Sequence, residues 1–135
     1  MDCIFCKIIN KEIPAHIIFE NDNYLAFLDI QPNTIGHTLV IPKKHVGSFA
    51  EQSDEEAADH MKVVHSIATQ LHAILGSSGF NVAINNGQAA GQIVEHVHWH
   101  IIPRYDGDGL EHWTHSPEAK NKLEEIFKKI YGQIK

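Results

Sequence analysis

Glu95-His96-Val97-His98-Trp99-His100-Ile101-Ile102-Pro103-Arg104 alternates imidazole with apolar side chains. A period of two is that of a β-strand, in which residues i, i+2 and i+4 share a face. His96, His98 and His100 therefore share one face, while Val97, Trp99 and Ile101 point into the core. The strand reads from Val94 to Ile102 and is closed by Pro103. Three imidazoles in a row make a poor packing surface but a ready polar site. Before them, Asn86-Gly87-Gln88-Ala89-Ala90-Gly91-Gln92 is a polar loop of hairpin length that follows a strand at Phe80–Asn85. Its glycines let backbone N–H groups approach a bound anion, which a Cβ would hinder.

Outward from this hairpin the elements follow from local signals. His16–Glu20 and Tyr24–Asp29 are strands joined by the turn cluster Asn21-Asp22-Asn23. Gln31–Gly36 is loop, and His37–Ile41 is a third strand ended by Pro42. Ser53 opens the clearest helix, with Glu56 completing a capping box and Asp54 and Glu55 at the positive end of the dipole. Ala57, Met61, Val64, Ala68, Leu71 and Leu75 form its apolar stripe, and Gly76 stops it. A short helix spans Cys3–Asn10, ahead of Ile13-Pro14. Ser116-Pro117 opens a C-terminal helix with Ala119, Leu123, Ile126, Phe127 and Ile130 on one face. The order β-β-β-α-β-β-α with hairpin-length links specifies the α+β class: an antiparallel five-stranded sheet with two main helices packed on it.

At 135 residues and 43% apolar, the chain is one domain's worth of sequence (1-135) with enough apolar content for a core. No apolar run approaches the roughly 18 residues of a membrane span. Met1–Cys6 shows no basic leader followed by an apolar stretch, so a cytoplasmic address is expected. Eleven Lys and Arg against seventeen Asp and Glu give a net charge of -6, the wrong sign for a nucleic-acid binder, though a local phosphate site remains open. The eleven histidines invite a search for a site. His16, His60, His65 and His72 read as surface or packing residues; His112 and His115 do too, but lie near enough to the histidine strand in sequence to stay open as site residues.

A His-x-His-x-His face offers two chemistries. All three rings can ligate a metal, but a cupin-like site needs a carboxylate a few residues on, where Arg104 and Tyr105 stand. Alternatively, one neutral imidazole acts as a nucleophile toward phosphorus or carbonyl, its other nitrogen held protonated, while its neighbours move protons. The two cysteines form a C-x-x-C, Cys3 and Cys6. In a reducing compartment a structural disulfide is disfavoured, and a thioredoxin-like motif would follow a strand, which this one does not. It reads as a metal half-site awaiting two further ligands. No P-loop or G-x-G-x-x-G is present.

His96-Val97-His98-Trp99-His100-Ile101-Ile102, with Gly91–Glu95, Ile4–Ile9 and Leu39–His45, resembles the histidine triad (HIT) family over residues 3-104, and most of all its bacterial Hint-type branch. The resemblance implies a HIT-like fold and a hydrolase or transferase acting at the α-phosphorus of nucleoside phosphate derivatives. It makes His98 the nucleophile that forms a nucleotidyl-histidine through Nε2, and His100 the residue that contacts phosphate and protonates the leaving group. His96 completes the triad and His37 is the additional histidine of the site. Asp29 and Ile30 match the nucleoside-holding positions, and Asn85, Gly91, Gln92 and Ile93 the phosphate loop. Hint-type members often carry serine where this chain has Ile93, which offers only its backbone N–H. Cys3, Cys6, His45 and His96 match the ligands of a structural Zn2+.

The implied activity is a nucleoside phosphoramidase acting on an AMP- or GMP-type conjugate. The alternatives are a dinucleoside polyphosphate hydrolase and a nucleotide-binding regulatory protein. Family resemblance further implies a homodimer, with the C-terminal extension, 106-135, available for dimer contacts and selectivity.

Overall fold

The structure is a computed structural model that describes residues 2–135. Strands β1 (Ile17–Glu20), β2 (Tyr24–Leu28), β3 (Thr38–Pro42), β4 (Gly79–Ile84) and β5 (Trp99–Arg104) form one antiparallel sheet in the order β1-β2-β3-β5-β4. Asn21 makes the first hairpin turn, its Oδ1 accepting from the N–H groups of Asn23 (2.9 Å) and Tyr24 (2.7 Å).

Alternation along β2 and β3 divides the core into two layers. Leu25, Phe27, Leu39 and Ile41 pack with Phe5 and Ile8 of the short helix α1 (Ile4–Ile9). Ala26, Val40 and Ile101 face the other way, onto Val64, Ile67 and Ala68 of α2 (Asp54–Leu75). Each fully buried aliphatic side chain here contributes about 1.5–3 kcal/mol through removal from water.

The capping box is as expected: Ser53 Oγ accepts from Glu56 N–H (3.1 Å), and Glu56 Oε2 accepts from Ser53 N–H (3.0 Å). Gly76, in the left-handed conformation, ends α2. The buried stripe differs from expectation: Met61 and Leu75 are exposed, and His60 is fully buried in line with Val64. His60 is tolerated because Nε2 donates to the Val40 carbonyl (2.9 Å), Nδ1 meets Gln52 Nε2 (3.2 Å) and the ring stacks on Tyr24.

Two expectations need correction. β5 begins at Trp99, not Val94, so His96 and His98 precede the ladder. The register explains this. β3 pairs last at Val40↔Trp99, and the next rungs would fall on Ile41 and then Pro42, which has no N–H and whose carbonyl accepts from His96 Nε2 (2.8 Å). The C-terminal segment is the second correction. It forms two helices, α3 (Pro117–Asn121) and α4 (Leu123–Ile130), neither with a buried residue. Leu123, Ile126, Phe127 and Ile130 are exposed rather than packed on the sheet, whose two faces already carry α1 and α2. Among the described residues no helix is long and apolar enough to cross a membrane.

Candidate active site

The histidine face is the α1 side of the sheet. His100 pairs across from Leu39 of β3 and Ala83 of β4 and so shares their face. His98 lies beside it, ring centroids 5.1 Å apart. Its Nδ1 is 2.7 Å from the His96 carbonyl. A carbonyl only accepts, so Nδ1 carries the proton and Nε2 the bare lone pair. Burial pushes the His98 pKa below the usual imidazole range, with the His96 carbonyl opposing, so the ring is neutral near pH 7. This is the state a nitrogen nucleophile needs.

The protonation of His100 follows from a chain of contacts. The Asn33 N–H donates to His37 Nδ1 (3.0 Å), which places the His37 proton on Nε2. That nitrogen is 2.9 Å from His100 Nδ1. His100 Nδ1 is then an acceptor, and its proton sits on Nε2, a buried atom with no partner among the described residues. The site therefore presents one imidazole as a lone pair and the next as an unspent donor. Burial lowers the pKa of His37, and lowers that of His100 to about 4. The Asp29 carboxylate, 3.7 Å from His37 Nε2, works in the opposite direction. Asp29, His37 and His100 bring one donor atom each within 4.8 Å of one another, with His37 Nε2 and His100 Nδ1 in hydrogen-bond contact.

The third triad histidine turns away. His96 is fully buried and meets Cys3, Cys6 and His45. Cys3 Sγ lies 3.5 Å and Cys6 Sγ 3.6 Å from His96 Nδ1; His45 Nδ1 is 3.3 Å from Cys6 Sγ and 3.1 Å from His96 Nδ1. A tetrahedral zinc with bonds of about 2.3 Å to sulfur and about 2.0–2.1 Å to nitrogen separates sulfur from nitrogen by about 3.6 Å and nitrogen from nitrogen by about 3.3 Å. The donor set and its spacing fit that ion. The His96 Nε2–H on the Pro42 carbonyl leaves Nδ1 free to ligate, the outer-shell arrangement metal-bound imidazoles adopt.

The remaining expected residues rim the face. Asp29 is half-buried, its Oδ1 accepting from Gln31 N–H (2.8 Å), and Ile30 is 83% exposed. Asn85 Nδ2 reaches the Gly91 carbonyl (3.4 Å). Gln92 is spent inside the loop: Oε1 accepts from Gly87 N–H, Nε2 donates to the Gly47 and Val94 carbonyls, and its own N–H goes to the Gly87 carbonyl. It holds the loop's shape and has no free donor for a phosphate. Ile93 is 92% exposed, and its N–H is not engaged among the described residues.

Sequence reasoning missed three contributors. Phe5 packs in a T-shaped arrangement against the rings of His98 (centroids 5.1 Å apart) and His96 (5.9 Å). Asn33 fixes the His37 tautomer through its backbone. Arg104 clamps Asp108 bidentately, Nε to Oδ2 at 2.8 Å and Nη2 to Oδ1 at 3.0 Å, and donates to the Leu110 carbonyl. Glu111, His112 and Trp113, next along the chain, line a cavity of about 420 Å³ beside His100 and Asn85. Phe5, inside the C-x-x-C, and Arg104, at the end of the histidine strand, had nearby sequence signals; Asn33 had none.

A family model described as HIT domain matches residues 10–107. An uncharacterised HIT-like protein of Methanocaldococcus jannaschii is 51% identical over 131 residues, covering 96% of this chain and 99% of the relative. A Schizosaccharomyces pombe protein named adenosine 5'-monophosphoramidase is 43% identical over 136 residues, covering 96% and 99%. The crystal structure of a zinc-bound histidine triad family protein from Mycobacterium smegmatis aligns at a TM-score of 0.78 and 39% identity, covering 96% of each chain. Likeness of this extent, over nearly the whole length of each partner, means that the chain belongs to the HIT, or histidine triad, family.

Proposed function

We propose that this protein is a nucleoside phosphoramidase, cleaving nucleoside 5'-phosphoramidates at the α-phosphorus through a nucleotidyl-His98 intermediate. The observation that carries the reading is the complementary protonation of neighbouring rings: His98 with Nε2 bare and His100 with an unpartnered Nε2–H. His98 Nε2 attacks phosphorus, the P–N bond to Nε2 forms, and the bond to the leaving amine breaks. With the anionic substrate against them, the His37–His100 pair first gains a proton from solvent, and His100 Nε2–H then gives a proton to the departing amine, which returns the pair to its neutral state. Water then attacks the adduct, the bond to His98 breaks, and a proton returns to the His100–His37 pair. An anionic phosphate against these rings raises their affinity for that proton. The Schizosaccharomyces pombe relative's name, adenosine 5'-monophosphoramidase, supports the substrate class.

Asp29 holds the ribose hydroxyls, Ile30 packs on the base, and Asn85 with the Gly91–Ile93 turn borders the phosphate. Cys3, Cys6, His45 and His96 hold a structural Zn2+, a reading supported by the spacing of their donor atoms and by the zinc-bound relative. Residues 1–135 form one HIT domain with a C-terminal extension. The protein works as a homodimer, which the exposed Phe80 and Val82 on the outermost strand and the apolar face of α4 support. The test is initial hydrolysis rates on adenosine 5'-phosphoramidate and diadenosine tetraphosphate, with His98→Ala as blank. Faster turnover of the phosphoramidate, abolished in the variant, is expected. Turnover confined to the tetraphosphate, or equal turnover by the variant, would refute it.

A further inference from the structure

The members of the histidine face are not held alike. His100 lies inside β5 with a strand on each side. His98 lies just before β5, where neither β3 nor β4 offers it a rung. Its ring is instead fixed by three neighbours. The His96 carbonyl accepts from the Nδ1–H (2.7 Å), the Phe5 ring stands at 84° to the imidazole, and His100 flanks it. Two of the three lead to the same place. His96 is a member of the Cys3–Cys6–His45–His96 set, and Phe5 sits between the two cysteines on a six-residue helix. A helix that short does not hold itself together in isolation. The backbone between the two histidines is pinned there as well, the Val97 N–H donating to the carbonyl of Val46, next to His45 (2.7 Å).

We infer that this ligand set, when it holds zinc, positions the nucleophile as well as bracing the fold, and that Phe5 is the positioning residue through which α1 acts on His98. Tying α1 to His96 closes the Phe5 ring and the His96 carbonyl onto two sides of one imidazole. That keeps Nδ1 protonated and Nε2 aimed outward. A ligand set that only braced the N-terminus would leave the tautomer of His98 indifferent to the metal. The inference rests on His98 being the nucleophile.

The experiment compares zinc-loaded protein, protein stripped with a chelator under reducing conditions, and Phe5→Leu, which keeps an apolar side chain between intact cysteines. Zinc content, imidazole ¹H–¹⁵N spectra (His98 assigned by its loss in His98→Gln), and kcat and KM on adenosine 5'-phosphoramidate are measured on each. The loaded protein is expected to hold His98 in a single tautomer with Nδ1 protonated. Stripping is expected to give mixed tautomers and a kcat at least tenfold lower, with KM moving less than threefold. Phe5→Leu is expected to keep its zinc yet show the same spectral change to a smaller degree. An unchanged His98 signal and kcat in stripped, folded protein would overturn the inference. So would an unchanged His98 signal in zinc-replete Phe5→Leu, which decides the matter if stripping unfolds the chain. If no form turns over the phosphoramidate, the proposed activity fails, while the tautomer measurement still decides the positioning role.

Discussion

Acidification should destabilise this protein through His60, on the α2 side of the sheet. The ring is fully buried between α2 and β3. Burial lowers its pKa from 6.5 to about 4, against the raising effect of the Val40 carbonyl. In the unfolded chain the imidazole titrates near its ordinary value. Between about pH 6.5 and pH 4 the unfolded state therefore binds more protons, and stability falls as pH falls. His60's contribution is whole above about pH 6.5 and is lost through pH 4. With 1.36 kcal/mol per pKa unit, the loss from this residue is about 2 kcal/mol between pH 7 and pH 5, and about 3 kcal/mol by pH 4. His60→Gln keeps a side-chain amide for the Val40 carbonyl but cannot titrate. Urea unfolding of both proteins at pH 7 and pH 5 isolates the residue, because the other histidines are common to both. The wild type should lose about 2 kcal/mol more than the variant over that interval. Parallel pH dependences would mean that His60 titrates normally in the fold, and the account of the α2 core would be wrong.

Other expectations are more local. Ser53→Ala removes half of the capping box and should cost about 1 kcal/mol in urea unfolding, leaving turnover untouched. Gly36 has φ +91°, and a Cβ there would sit 2.3 Å from Leu75 Cδ1. Gly36→Ala should therefore cost about 1–3 kcal/mol, read as a lowered denaturation midpoint. It should also lower kcat by displacing His37, the next residue. His37→Phe keeps a ring but removes the contact to His100 Nδ1, and kcat should drop by about 10²-fold or more in steady-state assays. A drop below threefold would show that His100 does not depend on it.

Much of this was legible because the signals are local. The Ser53–Glu56 capping box and the Asn21 turn depend on residues a few positions apart, and the fold honours both. The separation of His100 from Trp99 and Ile101 was legible for the same reason. What was not legible depends on partners distant in sequence. Where β5 starts is decided by Pro42, fifty-seven residues before Trp99 and unable to donate to the ladder. His60 replaces Met61 in the α2 core because the Val40 carbonyl and Tyr24 lie above it, which no periodicity of α2 alone can show. The break at Lys122 has no Gly or Pro beside it to mark it. The stripe on α4 announced an apolar face but not that both faces of the sheet were already covered. At the site, residue types were readable; the protonation pattern was not, because it runs from a backbone N–H at Asn33 through His37 to His100.

The central claim is that His98 Nε2 becomes covalently bonded to the α-phosphorus. Rapid mixing of the zinc-loaded protein with adenosine 5'-phosphoramidate, a neutral denaturing quench and peptide mass spectrometry would test it most directly. The account predicts one adenylyl group on the peptide containing His98, appearing before product and disappearing as substrate is exhausted. Product formed at full rate with no adduct on that peptide, or turnover surviving in His98→Ala, would contradict it.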